Sequence, residues 1–477
     1  MTLLTFTRRE TRISKMRHKQ QTVSVSALKF IALYTIAAAL CLFISSPKSG
    51  VFNWYLSIFW SLYFPIAVLG FSRIILSKKV VRSDFSGKTD KLVIFIIPTI
   101  CRKDTLSALL RVTESILRLA PANMINFRID LIIEQDSEAK SELKKIMHNE
   151  KKVSIIEVPR DYTTPHGTKY KARASHFATE LRTKLKENHS DVYIYHLDDD
   201  THVGKDTISS IAEFIETEHN NKYLAQGILT FPYQLSMSWF CKRADGIRPI
   251  DDITRFKLFT GDLGTPMAGL HGEHLLIRAD IEEEIGWDFG PTLAEDAYFG
   301  LSFAQKYPGK SASLNSYSYG ASPANLRDFI KQRKRWATGI LGVVFDKRFR
   351  LKTKFPLLYN VSCWVIGPFQ FVAVVFIASR VLGVNNTSPV ALWIIFLWSF
   401  NLAYHIWQYI EGNNINASVS TQTGRTKKGR HKKIKPNTWV MIPLVYAITL
   451  VEGIAAFLGM IQFIKKDLNF EVIKKEI

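Results

Sequence analysis

Tyr193-Ile194-Tyr195-His196-Leu197-Asp198-Asp199-Asp200 decides how the rest of the chain reads. Its apolar half predicts a buried parallel strand, and its carboxyl end delivers three consecutive carboxylates. Ligands of open α/β sheets bind at the carboxyl ends of the strands. Adjacent acids repel one another, so a fold tolerates them in solvent or beside a cation. Hard divalent ions such as Mg²⁺ or Mn²⁺ take carboxylate oxygens and share their remaining positions with substrate phosphates. A solvated acidic turn is the competing reading, and the flanking sequence decides between the two.

Upstream, Leu92-Val93-Ile94-Phe95-Ile96-Ile97, closed by Pro98, is an uninterrupted apolar run of the kind found in strands buried on both faces. Ile129-Asp130-Leu131-Ile132-Ile133 ends in Glu134-Gln135-Asp136, and Val153-Ser154-Ile155-Ile156-Glu157-Val158 follows a charged helix. Helical segments are expected over 105–119 and 170–186. Strands alternating with helices argue for a parallel sheet with its polar strand ends on one rim. Downstream, a helix over 206–218 precedes the strand-like 223–229. Gly269-Leu270-His271-Gly272-Glu273-His274 then offers two glycines that let backbone pass close to a ligand. Leu293-Ala294-Glu295-Asp296 sets acids in the first turn of a helix, where the macrodipole favours them. The last soluble feature is a basic amphipathic helix containing Gln332-Arg333-Lys334-Arg335-Trp336.

Composition is segregated along the 477 residues. Apolar runs at 25–44, 52–76, 359–382, 391–410 and 438–464 each approach the roughly 20 residues that cross a hydrocarbon core. Arg8, Arg9, Arg12, Lys15, Arg17 and Lys19 precede the first run, and Lys78, Lys79 and Arg82 follow the second. The positive-inside rule then makes the soluble stretch cytoplasmic, in a multi-pass protein of the cell membrane. Five crossings would leave Lys465, Lys466, Lys474 and Lys475 outside, so either one run is re-entrant or the tail translocates. The net charge of +21 lies largely beside the apolar runs, where anionic lipid explains it better than nucleic acid does. Cys41, Cys101, Cys241 and Cys363 have no metal-ligand spacing and imply no disulfide framework. The expected organisation is a basic tail (1–24), two membrane helices (25–80), an α/β domain (85–322) and interfacial helices (323–355). About three more membrane helices follow (356–464), with a basic loop at 412–437, and a tail closes the chain (465–477).

The chain has no P-loop, nucleophile elbow, zinc spacing or GxGxxG after a strand, which argues against nucleotide hydrolysis, serine-type hydrolysis and dinucleotide redox chemistry. Pro98-Thr99, Asp136, Lys171-Ala172-Arg173-Ala174, Asp198-Asp199-Asp200, Ala294-Glu295-Asp296 and Gln332-x-x-Arg335-Trp336 fall in a telling order. This series resembles the family 2 glycosyltransferases of GT-A fold, in the membrane-embedded group of the cellulose and hyaluronan synthases. Within that group it looks most like the egghead-type β-mannosyltransferases and related bacterial polysaccharide synthases. The resemblance implies a Rossmann-like mixed α/β sheet in a cytoplasmic domain inserted between transmembrane helices. It implies that Thr99, Asp136, Lys171, Asp198 and Asp199 hold the nucleotide-sugar donor, with Asp200 and Asp198 on Mg²⁺ or Mn²⁺. Asp296 resembles the general base, with Glu295 beside it. Gln332, Arg335 and Trp336 resemble the motif that closes over diphosphate and acceptor. Three positions depart from the pattern: Ala294 replaces a usual threonine, His271-Gly272-Glu273 occupies the acceptor-loop position, and few spans follow the domain.

The expected function is therefore inverting, metal-dependent transfer from a UDP- or GDP-sugar to a growing polysaccharide, processive and coupled to extrusion. Transfer of one sugar to a lipid-linked or glycolipid acceptor is the alternative. A scaffold that has lost catalysis is disfavoured by intact carboxylates at every expected place. A transporter is disfavoured by the small number of spans and the lack of an inverted repeat.

Overall fold

The computed structural model describes residues 28–43, 61–76, 82–370, 392–423, 438–469, 471 and 473. Eight strands form one sheet: β1 Thr89–Thr99, β2 Met124–Glu134, β3 Val153–Val158, β4 Val192–His196, β5 His202–Val203, β6 Leu224–Thr230, β7 Leu275–Arg278 and β8 Ser311–Tyr319. Their order is β3-β2-β1-β4-β7-β6-β8-β5. The half built from β3, β2, β1 and β4 is parallel, as the alternation of strands and helices implies. Beyond it β7 runs antiparallel to both β4 and β6, so the sheet as a whole is mixed. Helices cover the sheet: α3 Lys103–Leu119, α4 Lys140–Met147, α5 Tyr170–Lys184 and α6 Lys205–Glu218, with α1 Leu28–Phe43 and α2 Phe64–Leu76 preceding them. After β6 come α7 Cys241–Ala244, α8 Ile247–Asp251 and a π-helical stretch Asp252–Asp262, followed by α9 Ala279–Ile285 and α10 Glu295–Lys306. The chain continues through α11 Leu326–Phe345, α12 Leu351–Val365, α13 Leu392–Thr423 and α14 Thr438–Ile464.

The period-two geometry of a strand divides β1 between two cores. Val93, Phe95 and Ile97 pack with Leu109, Val112 and Ile116 of α3 on one face. Ile94 and Ile96 pack with Ala174 and Ala178 of α5 and Phe299 and Phe303 of α10 on the other. Parallel register aligns Ile96 with His196, so three residues further on Thr99 and Asp199 emerge side by side at the same rim.

Behind that rim the structure buries charge. Glu282 of α9 is fully enclosed and accepts from Arg182 Nη2 at 2.5 Å, His196 Nε2 at 2.7 Å and Trp287 Nε1 at 2.8 Å. One carboxylate thus ties α5, β4 and α9 together directly beneath the three aspartates. Burial alone would raise its pKa, but Arg182 and His196 outweigh it and hold the group below its ordinary value of 4.5.

The apolar runs fold unequally. Val440–Ile464 is the one described helix long and apolar enough to cross a membrane. Leu28–Phe43 and Phe64–Ile75 are shorter apolar helices. The expected third run begins within α12, and its part over 371–382 lies outside the described residues. The fourth lies in α13, which continues past Ile410 into the α/β domain. There Asn413 Nδ2 donates to Arg243 O at 3.0 Å, and Asn416 Oδ1 accepts from Phe231 N at 3.0 Å. Helix α14 docks on α11 at Gly459, where a β-carbon would sit 2.6 Å from Lys334 O and 2.8 Å from Ala337 Cβ. Beyond α14 the tail returns to the α/β domain: Tyr170 Oη donates to Leu468 O at 3.3 Å and Lys334 pairs with Glu471. The first residues of the tail therefore lie against α5 and α11.

Removing one partner of a buried ion pair leaves an uncompensated charge, at a cost of about 3–5 kcal/mol. Glu282→Ala should lower the stability of the α/β domain by that order, read as a fall in the thermal midpoint. Because the Glu282 pKa is depressed on folding, its stabilisation is complete above the ordinary carboxylate value and fades as pH falls through the folded one. The gap between wild type and variant should narrow in the same acid window.

Candidate active site

The rim carries a cavity of about 1010 Å³, lined by Thr99, Glu134, Lys171, Asp198, Asp199, Asp200 and, further in, by residues of the apolar helices. Thr99 Oγ1 donates to Asp199 Oδ2 at 2.6 Å, so the middle aspartate anchors the end of β1. Lys171, in the first turn of α5, pairs with Asp198 and donates to Gly272 O at 2.6 Å. Asp200 is almost wholly buried at the cavity wall. Asp136 is not brought to this group: it lies exposed, beyond the end of β2, and does not line the cavity. Glu134, the last residue of β2, lines it instead and receives Arg173 Nη1 at 2.8 and 2.7 Å.

Opposite, Glu295 and Asp296 open α10. Asp296 Oδ2 accepts from Gly272 N at 3.0 Å and its Oδ1 from Ala297 N at 2.8 Å. Gly272 therefore joins Lys171 to Asp296 through the amide and the carbonyl of one residue. Its neighbours fix the loop: Glu273 accepts from Thr201, and His271 Nε2 meets Asp252 Oδ1 at 2.6 Å. The His271 ring lies 4.1 Å from that of Phe256, and its backbone exchanges hydrogen bonds with the Gln226 side chain at 3.0 and 3.2 Å. His271 thus braces the loop from behind while its edge lines the cavity. Cys101, Tyr170 and His274, each one or two residues from a site residue, hold left-handed backbone angles of 49°, 59° and 54°. Such strain clusters where the fold over-determines a functional geometry.

Helix α11 closes the third side with Gln332, Arg335 and Trp336. It approaches so closely that a β-carbon on Gly339 would sit 2.7 Å from the Leu293 carbonyl carbon, immediately before the acids. Trp336 is flanked by the guanidinium groups of Arg333 and Arg248, 4.4 and 4.7 Å from its ring centre. Cavity-lining residues not expected from the sequence include Glu134, Arg248 and Arg333. Arg333 sits inside the quoted motif, and its full burial was the signal the sequence did not carry.

The electrostatics are dominated by acids. Burial, then the charge of Asp296, raises the Glu295 pKa above its ordinary value. Burial pulls Lys171 down, but Asp198 and Glu295 outweigh it and keep the ammonium charged. Burial lowers the Arg335 pKa against the opposing pull of Glu295 and Asp198. The donor set at Asp198 and Asp200 is hard carboxylate oxygen, which fits Mg²⁺ or Mn²⁺ provided that substrate phosphate completes the shell. Among the described residues no three His, Cys, Asp or Glu side chains converge as a closed metal cage.

Residues 193–407 match the sequence family described as Glycosyl transferase family group 2. The match to a family 2 glycosyltransferase domain takes in a little under half of the chain. The β-1,4-mannosyltransferase egh of Drosophila melanogaster is 29% identical over 266 residues, 55% of each chain. A β-1,4-mannosyltransferase of Caenorhabditis elegans is 26% identical over 336 residues, 68% of each. The chain thus spans about half the length of the fly relative. Among solved structures, a mannosyltransferase of Pyrobaculum calidifontis in complex with GDP-Man and Mn²⁺ aligns with a TM-score of 0.48 at 10% identity, over 93% of this chain and 99% of that one. The matched glycosyltransferase segment begins on the strand that delivers Asp198 and includes Asp296 and Trp336, whereas Thr99 and Lys171 precede it.

Glu295 should take up its proton above the ordinary glutamate value as pH falls, because its pKa is raised. Its charge also supports those of Lys171 and Arg335, so protonation weakens the cationic side of the site. Turnover should therefore fall with decreasing pH through a limb above the ordinary glutamate value. Glu295→Gln should remove that limb, which a kcat/KM profile against pH will show.

Proposed function

We propose that the chain transfers a sugar, with mannose the first candidate, from a nucleotide-sugar donor to a hydroxyl of a lipid-linked glycan, inverting the anomeric centre. The observation that carries this reading is the single cavity. It runs from Asp198–Asp200 past Asp296 and on between the apolar helices to Tyr63, Tyr404 and Tyr446. A donor diphosphate at the aspartate end and an acceptor entering from the helices would meet at Asp296.

In this reading Asp296, aimed by the Gly272 and Ala297 amides, takes the proton of the acceptor hydroxyl. That oxygen attacks the anomeric carbon as the bond to the diphosphate breaks on the opposite face. Lys171 and Arg335 favour the departing charge through charge-assisted hydrogen bonds. A divalent ion held by Asp198 and Asp200 would supply Lewis-acid neutralisation of the diphosphate. The names of the relatives support mannose, and the apolar walls of the inner cavity support a lipid-anchored acceptor. Membrane insertion belongs to the same proposal, with α14 as a crossing helix and the glycosyltransferase domain on the cytoplasmic face.

Processive synthesis with extrusion is the second reading, because Asn401, His405, Gln408 and Glu452 also line the cavity. A sugar chain would need such groups on its path. Here His405 Nε2 meets Thr449 Oγ1 at 2.7 Å and Gln408 Nε2 donates to Tyr63 Oη at 2.9 Å, contacts that also serve helix packing.

Release of nucleoside diphosphate from a panel of nucleotide sugars, with and without glycolipid acceptor, tests the proposal, and product size separates the readings. One added sugar supports the first; long polymer protected inside vesicles would replace it with the second. Asp296→Asn should lower kcat by roughly 10²–10⁴-fold with donor affinity little changed, the scale of lost general-base help. Asp200→Asn should abolish any dependence on divalent cation together with transfer. Undiminished wild-type transfer in chelator would remove the ion from the scheme.

A further inference from the structure

Arg333 lies inside the Gln332–Trp336 motif, yet neither the sequence reading nor the proposed chemistry gives it a role. It is 1% exposed. Its Nη2 pairs with Asp245, which stands between α7 and α8, and its Nε meets Glu452 Oε1, midway along α14, at 3.1 Å. Nη1 donates to Gln332 Oε1 at 2.6 Å. The flat guanidinium also lies 4.4 Å from the centre of the Trp336 ring and 4.3 Å from that of Phe329. Asp245, Gln332, Arg333, Trp336 and Glu452 all border the same cavity.

A buried arginine between two carboxylates adds little to stability compared with a well-packed apolar group, because desolvation offsets the attraction. What it supplies is geometry. A planar fork with fixed donor directions can grip two carboxylates and a neighbouring amide at once, which a lysine ammonium cannot do. Here those directions tie together three separate elements: the α7–α8 corner of the α/β domain, α11, and the long apolar helix α14. The two residues they also fix are the ones that would face an acceptor sugar.

We infer that Arg333 is a positioning residue that sets Gln332 and Trp336 for the acceptor, and that its pairing with Glu452 couples the seating of α14 to that geometry. The inference rests on the acceptor reading of the cavity. Its mechanism is indirect: Arg333 holds side chains in place and takes no proton. A shifted Trp336 ring would lose acceptor contact in the ground state and the transition state alike, so the loss falls on the acceptor KM rather than on kcat.

Glu452→Gln keeps the shape of the partner and removes its charge, while Arg333→Lys keeps the charge and removes the fork. In full-length protein in lipid nanodiscs, both variants should raise the acceptor KM about tenfold or more at saturating donor, with kcat falling by less than about threefold. In protein labelled with 5-fluorotryptophan, the ¹⁹F resonance assigned through Trp336→Phe should shift in both variants. An unmoved resonance, or a loss of kcat and thermal stability with the acceptor KM unchanged, would overturn the inference and leave Arg333 a packing residue. Should no nucleotide sugar support turnover in the wild type, the proposed function fails; the resonance still decides whether Arg333 fixes Trp336.

Discussion

The site is a problem in concentrated negative charge. Asp198, Asp199, Asp200, Glu273, Glu295 and Asp296 border one cavity, with Lys171 and Arg335 among the cations that share it. Two unit charges 4 Å apart interact by about 4 kcal/mol at an effective dielectric of 20, so the acids cannot be left to repel freely. The fold answers four of these six separately. A threonine hydroxyl meets Asp199, an ammonium meets Asp198, two backbone amides meet Asp296, and Glu295 gives way by a raised pKa. In the proposed reaction, the acidity left after these local answers would be met by a cation arriving with a diphosphate.

Those answers depend on backbone register more than on side-chain choice. The alignment of Ile96 with His196 brings Thr99 to Asp199, and the carbonyl and amide of Gly272 serve Lys171 and Asp296 respectively. A slip of one residue in β1 would turn Val93, Phe95 and Ile97 into the opposite core and part Thr99 from its partner. Glu282 holds β4 and α5 from below, through His196 and Arg182.

Much of this was legible in the sequence where a local pattern sufficed. Uniform apolar runs marked β1 and β4, helical periodicity marked α3 and α5, and the acids at the start of α10 stood where the macrodipole favours them. The motif order pointed to a family 2 glycosyltransferase domain, which the family match over residues 193–407 supports. Less was legible where tertiary partners decide. The sequence Ser311-Ala312-Ser313-Leu314-Asn315-Ser316 has weak alternation, and β8 is a strand because β6 offers it a parallel edge. The π-helical Asp252–Asp262 carries no propensity signal of its own; Asp252 is held there by His271 and by the Leu229 amide. Asp136 and Glu134 are both acids at one strand end, and only the last paired residue of β2 separates the one that faces the cavity from the one that faces water.

Helix α11 shows why the reaction centre and the apolar helices are hard to consider apart. At Gly339 its backbone nearly touches the peptide before Glu295 and Asp296, and near Lys334 and Ala337 it receives Gly459 of α14. Gln332, Arg335 and Trp336 stand within two residues of Lys334 on the same helix. A side chain in either glycine place would push α11 off the acids or off α14, since neither contact leaves room for a methyl group. The acids, the motif and the apolar helix are therefore fixed by one rigid element. In the proposed reaction such a site would meet its acceptor where the α/β domain meets the helices, which is where the cavity continues inward. An acceptor with a polar sugar at one end and an apolar anchor at the other matches that junction better than a free sugar would, because both of its ends then find a wall of their own kind.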